Sequence, residues 1–327
     1  MVKETGRDTK EKDSLKIVVV GGGTGLSTLL RGLKTYPWKI TAIVTITDEG
    51  GSSGILREEL NVPPPGDIRN NLVALANDED ILGKVFNYRF KNGSLNGHTV
   101  GNIILAALTM ITGNFMEAVS KAADILAIKG RVLPVSTEMA RLVAIFEDGS
   151  KVSGETRIVK YCKETGKRIV DIKLDNCVKL NSSAYEVIVN SDAIIFGPGS
   201  LYTSIIANFL VDGFSEAVSL SNAKKIYVSN IMTQPGETQN YKLSDHIREV
   251  ERYLNGNLDV IIHSLPPKDE RILNEYREKN SLPVEIDIND ERIIIGHFSN
   301  IIIKDTPKIR HDSFLLSKAI YELTMNS

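Results

Sequence analysis

At 327 residues the chain is long enough to bury a sizeable core, either as one large α/β domain or as two smaller ones. Its 39 Lys and Arg are interspersed with 41 Asp and Glu, a near balance that supplies no electrostatic footprint for nucleic acid or an anionic membrane. No apolar run approaches the roughly 20 residues of a bilayer-spanning helix, and Cys162 and Cys177 match no metal or redox spacing, as expected of ordinary thiols in a cytoplasmic protein.

Residues 1–14 are charged and polar without an apolar segment of the signal-peptide kind, and read as a disordered tail. The remainder, 15–327, reads as a single nucleotide-binding domain. Its pattern is α/β, a Rossmann-like, doubly wound and mostly parallel sheet with an inserted antiparallel β-meander. The first strand, Ile17 to Val20, is apolar without alternation, as in a strand covered on both faces. Gly21, Gly22, Gly23, Thr24 and Gly25 follow, and then Leu26, Leu29, Leu30 and Leu33 recur at the spacing of a helix packed on a sheet. A strand, a glycine loop and a helix start offer N–H groups and a positive helix end to an anion. The same glycines could instead serve only close strand–helix packing. No Lys-Ser/Thr pair follows, so this is not a P-loop, and Leu26 stands where a dinucleotide fingerprint would carry a third Gly or Ala.

A second strand at Lys39 to Thr47 ends on Asp48 and Glu49, before a second turn with Gly51, Ser52, Ser53 and Gly54. Asp48 could take a ribose hydroxyl, and the turn adds donors for an oxygen-rich ligand such as a diphosphate or sugar. It could also be a polar turn rich in caps. After Pro63 to Pro65, Asp67 reads as the N-cap of a helix whose first turn holds Arg69, Asn70 and Asn71, poor helix material better explained by a ligand. The run Asn96 to Met110 repeats the design, with His98, Thr99, Gly101 and Asn102 at the start of a strongly apolar helix. His98 is either a satisfied structural histidine or a donor to a ligand. Asn114 and Glu117 resemble a capping box.

From Arg131 to Leu180 short alternating runs broken by turn signals predict the β-meander, as an insertion or flap over about 131–180 without a chemical cluster. A strand–glycine-loop–helix unit then returns with Gly197, Gly199 and Ser200, followed by the hydroxyls Thr203 and Ser204. Two such loops from opposite halves of a doubly wound sheet would meet where the strand order reverses, which turns an anion site into a nucleotide site. The loop after the strand Lys225 to Ser229 is long and polar, and Asn230, Thr233, Gln234 and Glu237 are its candidates to read a base or sugar. The last third predicts helices at Leu243 to Asn255, Glu270 to Glu278 and Ser313 to Met325, with strands at Asp259 to His263 and within Pro283 to Ile303; His297 and His311 read as structural or exposed.

Taken together, GGGTG (Gly21–Gly25), DEGGSSG (Asp48–Gly54), PPGDIRN (Pro64–Asn70), GHTVGN (Gly97–Asn102), GPGSLYTSI (Gly197–Ile205) and NIMTQPGET (Asn230–Thr238) resemble the gluconeogenesis factor (YvcK-type) family. That family is a branch of the 2-phospho-L-lactate transferase (CofD-like) superfamily. The resemblance implies a Rossmann-like nucleotide-binding fold and a cytoplasmic location. It implies a uridine diphosphate sugar as ligand, UDP-N-acetylglucosamine or UDP-glucose, and a role in cell shape or cell-wall precursor supply when carbon comes from gluconeogenesis. The partners expected on this basis are a regulated protein of wall-precursor synthesis and further copies of the chain in a homo-oligomer, with no nucleic acid and no membrane span. Two positions depart from the family pattern: Glu49 replaces a second Asp, and Ala207 replaces a helix Pro. Glu49 keeps the charge on a longer arm, which bears on metal geometry more than on sugar binding.

Two functions compete. One is a nucleotide-sugar-binding regulator without turnover, which needs no cofactor. The other is a transferase moving a phospholactyl-type group from a nucleotide diphosphate carrier to an acceptor alcohol, with magnesium on Asp48. An NAD-dependent oxidoreductase is a weaker third, since the fingerprint is imperfect and no general acid with an orienting partner is evident.

Overall fold

The computed structural model describes residues 14–77, 79, 81–303 and 306–325. The expected tail at 1–14 lies outside them apart from Ser14, whose hydroxyl donates to the Pro37 carbonyl. Strand β1 (Lys16–Gly21) shows why its apolar run does not alternate: Val18 and Val20 enter one core cluster while Ile17 and Val19 enter another, so each face of the strand is buried. The helix Gly23–Leu33 follows at once, and its stripe Leu26, Leu29, Leu30 and Leu33 is fully buried.

Strands β2 (Lys39–Val44) and β3 (Arg131–Pro134) lie on one side of β1. Three further strands appear before the chain returns: β4 (Leu142–Phe146), β5 (Lys151–Ser153) and β6 (Ile169–Leu174). It then places β7 (Ala193–Phe196) on the other side of β1, followed outward by β8 (Lys224–Val228), β9 (Val260–Ser264) and β10 (Ile293–Gly296). The seven-stranded sheet runs β10-β9-β8-β7-β1-β2-β3 and every pair in it is parallel. The strand order therefore reverses between β1 and β7, as in a Rossmann-like doubly wound sheet. Strands β11 (Ser299–Ile303) and β12 (Pro307–His311) form a separate antiparallel pair. Among the described residues no helix is long and apolar enough to cross a membrane.

The inserted sheet is smaller than the 131–180 expectation. Arg131–Pro134 is the edge strand of the main sheet, since β3 pairs in parallel with β2. The antiparallel sheet is β5-β4-β6, and Glu155–Thr165, between β5 and β6, is a helix and not part of a meander. Its Thr, Ile and Val content favours a strand, but Ile158 and Cys162, one helical turn apart, are the pair that packs inward.

Candidate functional site

The carboxyl ends of β1 and β7 lie side by side, so their two glycine loops meet at the point of strand-order reversal. A Cβ on Gly25 would run into the Pro198 carbonyl. Asn208 fastens the same junction, donating to the Gly21 carbonyl at 3.2 Å and to the Ser204 carbonyl at 2.7 Å. Gly22 is held to the size of hydrogen by the partners opposite it, because an added Cβ would lie 2.6 Å from Asp67 Oδ2 and 2.8 Å from Thr45 Cγ2. Gly23 opens its helix at φ +63, in the left-handed region that favours glycine.

Asp67 does not cap its own helix. The helix Gly66–Leu75 starts behind Pro65 with no side-chain cap, and the Asp67 carboxylate instead accepts the Gly23 N–H. Burial first, and then the charge of Asp48, raise the Asp67 pKa to about 7, although part of the residue's surface opens on the cavity. Asp48 is oriented by the Gly50 N–H, which donates to its Oδ1 at 2.8 Å. Glu49 turns the other way, to Arg141 at 3.3 Å and Arg57 at 3.9 Å, so the two neighbouring acids have different tasks.

A cavity of about 890 Å³ lies over these loops, within the range of small-molecule sites. Of the residues singled out in the sequence it is lined by Gly22, Gly23, Thr24, Gly25, Asp48, Asp67, Gly199, Ser200, Asn230, Thr233 and Gln234. The polar loop after β8 is tied to the second glycine loop: Asn230 Nδ2 donates to the Gly199 carbonyl at 2.9 Å, and Gln234 Nε2 to Ser200 Oγ at 2.8 Å. Thr203 and Glu237 stand behind that wall. Glu237 accepts from Thr203 Oγ1 at 2.9 Å and from the Tyr202 N–H at 3.1 Å, and its burial raises its pKa.

The remaining candidates gather elsewhere. Ser52 Oγ lies 3.2 Å from His98 Nδ1 and accepts from Asn102 Nδ2 at 3.2 Å, joining the helix Gly51–Leu60 to the helix Val100–Thr112. Arg69 donates to Thr99 Oγ1 at 2.6 Å and to Asn70 Oδ1 at 2.5 Å, and burial, then Arg89, lower its pKa to about 10. Gly101 is confined by the Phe86 carbonyl and the Arg69 side chain, which a Cβ would approach to 2.7 and 2.8 Å. Gly51 (φ +45) opens its helix, Gly197 (φ +84) directly follows β7, and Ser53 packs beside Gly66.

Several wall residues carry no signal in the chain's motifs. The inserted helix sends Glu155, Val159 and Lys163, one stripe at four-residue spacing, onto the cavity. Burial, then Asp48 and Asp67, push the Glu155 pKa well above the ordinary glutamate value. Lys279, Arg310 and His311 close the far side. His311, read from the sequence as structural or exposed, is buried and belongs to a residue set that lines the cavity. The one usable signal was the helical spacing of Glu155, Val159 and Lys163.

A family model described as 2-phospho-L-lactate transferase CofD matches residues 17–298. The putative gluconeogenesis factor of Thermotoga maritima is 53% identical over 316 residues, covering 95% of this chain and 99% of that protein. The gluconeogenesis factor of Bacillus subtilis is 42% identical over 313 residues, covering 94% and 98%. A crystal structure of a UPF0052 family member from Bacillus halodurans superposes with a TM-score of 0.87 at 41% identity, covering 94% of this chain and 99% of that one.

Proposed function

This chain belongs to the 2-phospho-L-lactate transferase CofD family, alongside the proteins named gluconeogenesis factors, and on that premise we propose that it is a cytoplasmic, nucleotide-sugar-binding regulator that does not turn its ligand over. Its ligand is a uridine diphosphate sugar, UDP-N-acetylglucosamine or UDP-glucose, and its output couples gluconeogenic carbon supply to wall-precursor synthesis and cell shape through a protein partner. The observation that carries this reading is the meeting of the two glycine loops under one polar cavity, with Gly25 against Pro198. The cavity's cations Lys163, Lys279 and Arg310 would take the diphosphate charge, with the hydroxyls of Thr24, Thr28, Ser200 and Ser204 on the same lining. Carboxylates such as Asp48 suit sugar hydroxyls, which they accept from. The serine–histidine pair Ser229 Oγ and His263 Nδ1, at 2.8 Å, is fully buried and does not line the cavity, and neither does the pair Ser52 and His98, which disfavours nucleophilic turnover.

The transferase reading is favoured by one observation: Asp48 and Asp67 line the same cavity, and the charge of Asp48 helps to raise the Asp67 pKa. Two such carboxylates, completed by ligand phosphates, are a donor set that magnesium accepts. Glu49, taken up by its arginines, would not join them. A thermal scan decides the ligand: at about 100 times its dissociation constant a ligand of the folded state adds about 2.7 kcal/mol. Uridine diphosphate sugars should raise the melting temperature and NAD should not; the reverse would overturn the proposal. Steady product release above a no-enzyme control that an Asp48→Asn change abolishes would overturn the regulator and favour the transferase.

A further inference from the structure

The helix Val100–Thr112 has no charged residue and no histidine in its 13 positions, and a helix apolar all round is ordinarily wrapped in core on every side. Here only one side is covered. Gly101, Asn102, Leu105 and Ala106 are buried, while Ala107, Met110 and Ile111 form the opposite stripe, with Met110 63% and Ile111 79% exposed. The helix Ile81–Asn87 packs beside it and repeats the arrangement. Its Gly83 and Phe86 are buried, whereas Ile81, at 75%, and Val85 are exposed together with Leu82 and with Tyr88 just past the helix end. Backbone pairing fixes the two helices side by side, since the Val100 N–H donates to the Tyr88 carbonyl and the Phe90 N–H to the His98 carbonyl, both at 3.0 Å.

The open surface of Ile81, Leu82, Val85, Tyr88, Met110 and Ile111 amounts to on the order of 500 Å² of apolar area, which is the apolar share of the ~800 Å² that each partner brings to a standard interface. The N-terminal residues 1–13 do not match it: eight of them are charged, and only Met1 and Val2 are apolar. A central helix without charge can meet its own copy about a two-fold axis, because no like charges are then set opposite one another. Lys84 is the only charged side chain of the two helices, too little to recommend the face to an acidic or basic partner.

We propose that this face is the docking surface for a second copy of the chain, with the helix Val100–Thr112 of one protomer against the same helix of its partner. The dimer surface is independent of the nucleotide reading, since none of its six exposed side chains lines the cavity.

The test is sedimentation equilibrium of the full chain from about 1 to 100 μM. It compares the parent with Ile111→Glu, with Ile81→Glu, and with Ile303→Glu, which changes a comparably exposed apolar residue on β11. The parent and Ile303→Glu should run at twice the 36.0 kDa of one chain. Ile111→Glu and Ile81→Glu should each weaken the dimer about a hundredfold or more, because each sets an unpaired charge within the buried apolar area. Both side chains are exposed in the single chain, so the circular dichroism spectrum of each variant should match that of the parent, and two variants on separate helices keep the result from resting on one substitution. A parent that stays at the mass of one chain throughout overturns the proposal, and its co-sedimentation with phosphatidylglycerol vesicles would assign the face to a lipid surface instead. A dimer that Ile111→Glu and Ile81→Glu leave intact, or that Ile303→Glu weakens as much as they do, overturns it as well.

Discussion

Two regions of this molecule look alike in sequence and have different neighbours. The loop Gly22–Gly25 with Asp48 and Asp67, and the joint of Ser52, Arg69, His98, Thr99, Gly101 and Asn102, are both made of glycines, hydroxyls and charged groups at helix starts. The first lies on the cavity; the second fastens helices on its flank, with Arg69 buried against Thr99 and Gly101 wedged under the Phe86 carbonyl. A polar, glycine-rich helix start is therefore a statement about close approach, and only the neighbour that approaches decides whether it serves a ligand or another helix.

The sharpest way to break this contrast is at Gly25. Valine there meets the Pro198 carbonyl, a backbone atom with little room to move, so Gly25→Val should lower stability by about 3 kcal/mol or more and abolish nucleotide binding in whatever protein still folds. Urea denaturation and calorimetry check the two halves of that statement. Binding at parental affinity would show that the loop-to-loop contact is packing alone.

Gly101→Ala is the matched change in the other region. Its Cβ would meet the Phe86 carbonyl at 2.7 Å, and stability should fall by about 2 kcal/mol while the dissociation constant stays within about twofold of the parent. A large loss of affinity at unchanged stability would place the His98–Asn102 segment in the site after all.

The smallest effect concerns pH. Because the folded-state pKa of Asp67 is raised from 3.8 to about 7, the folded chain holds this proton more tightly than the unfolded chain does. Its contribution to stability is fully present below the unfolded value and is lost as pH rises through about 7. Asp67→Asn should therefore gain on the parent as pH rises, with the difference in melting temperature a few degrees more favourable at pH 8 than at pH 5. A difference independent of pH would mean that Asp67 is ionised throughout this range.

Much of the fold was legible in the chain. Unbroken apolar runs such as Ile17–Val20 identify doubly covered strands, and the leucine stripe after Gly25 is the buried face of its helix. Local chemistry also carried the Asn114 cap, whose side chain accepts the Glu117 N–H at 3.2 Å. These features are set by residues within a few positions of one another, so local periodicity and capping determine them. The tertiary structure decided the rest. Arg131–Pro134 is too short to declare its sheet until β2 supplies the register. Asp67 has the residue type and position of a cap, yet the neighbouring loop takes its carboxylate. Glu155, Lys163, Arg310 and His311 reach the cavity from an inserted helix and a distant strand, and no motif joins them to the glycine loops. Which polar residues stand on a wall and which stand behind it depends on contacts between segments far apart in the chain, such as that of Asn208 with Gly21, and local pattern does not encode those contacts.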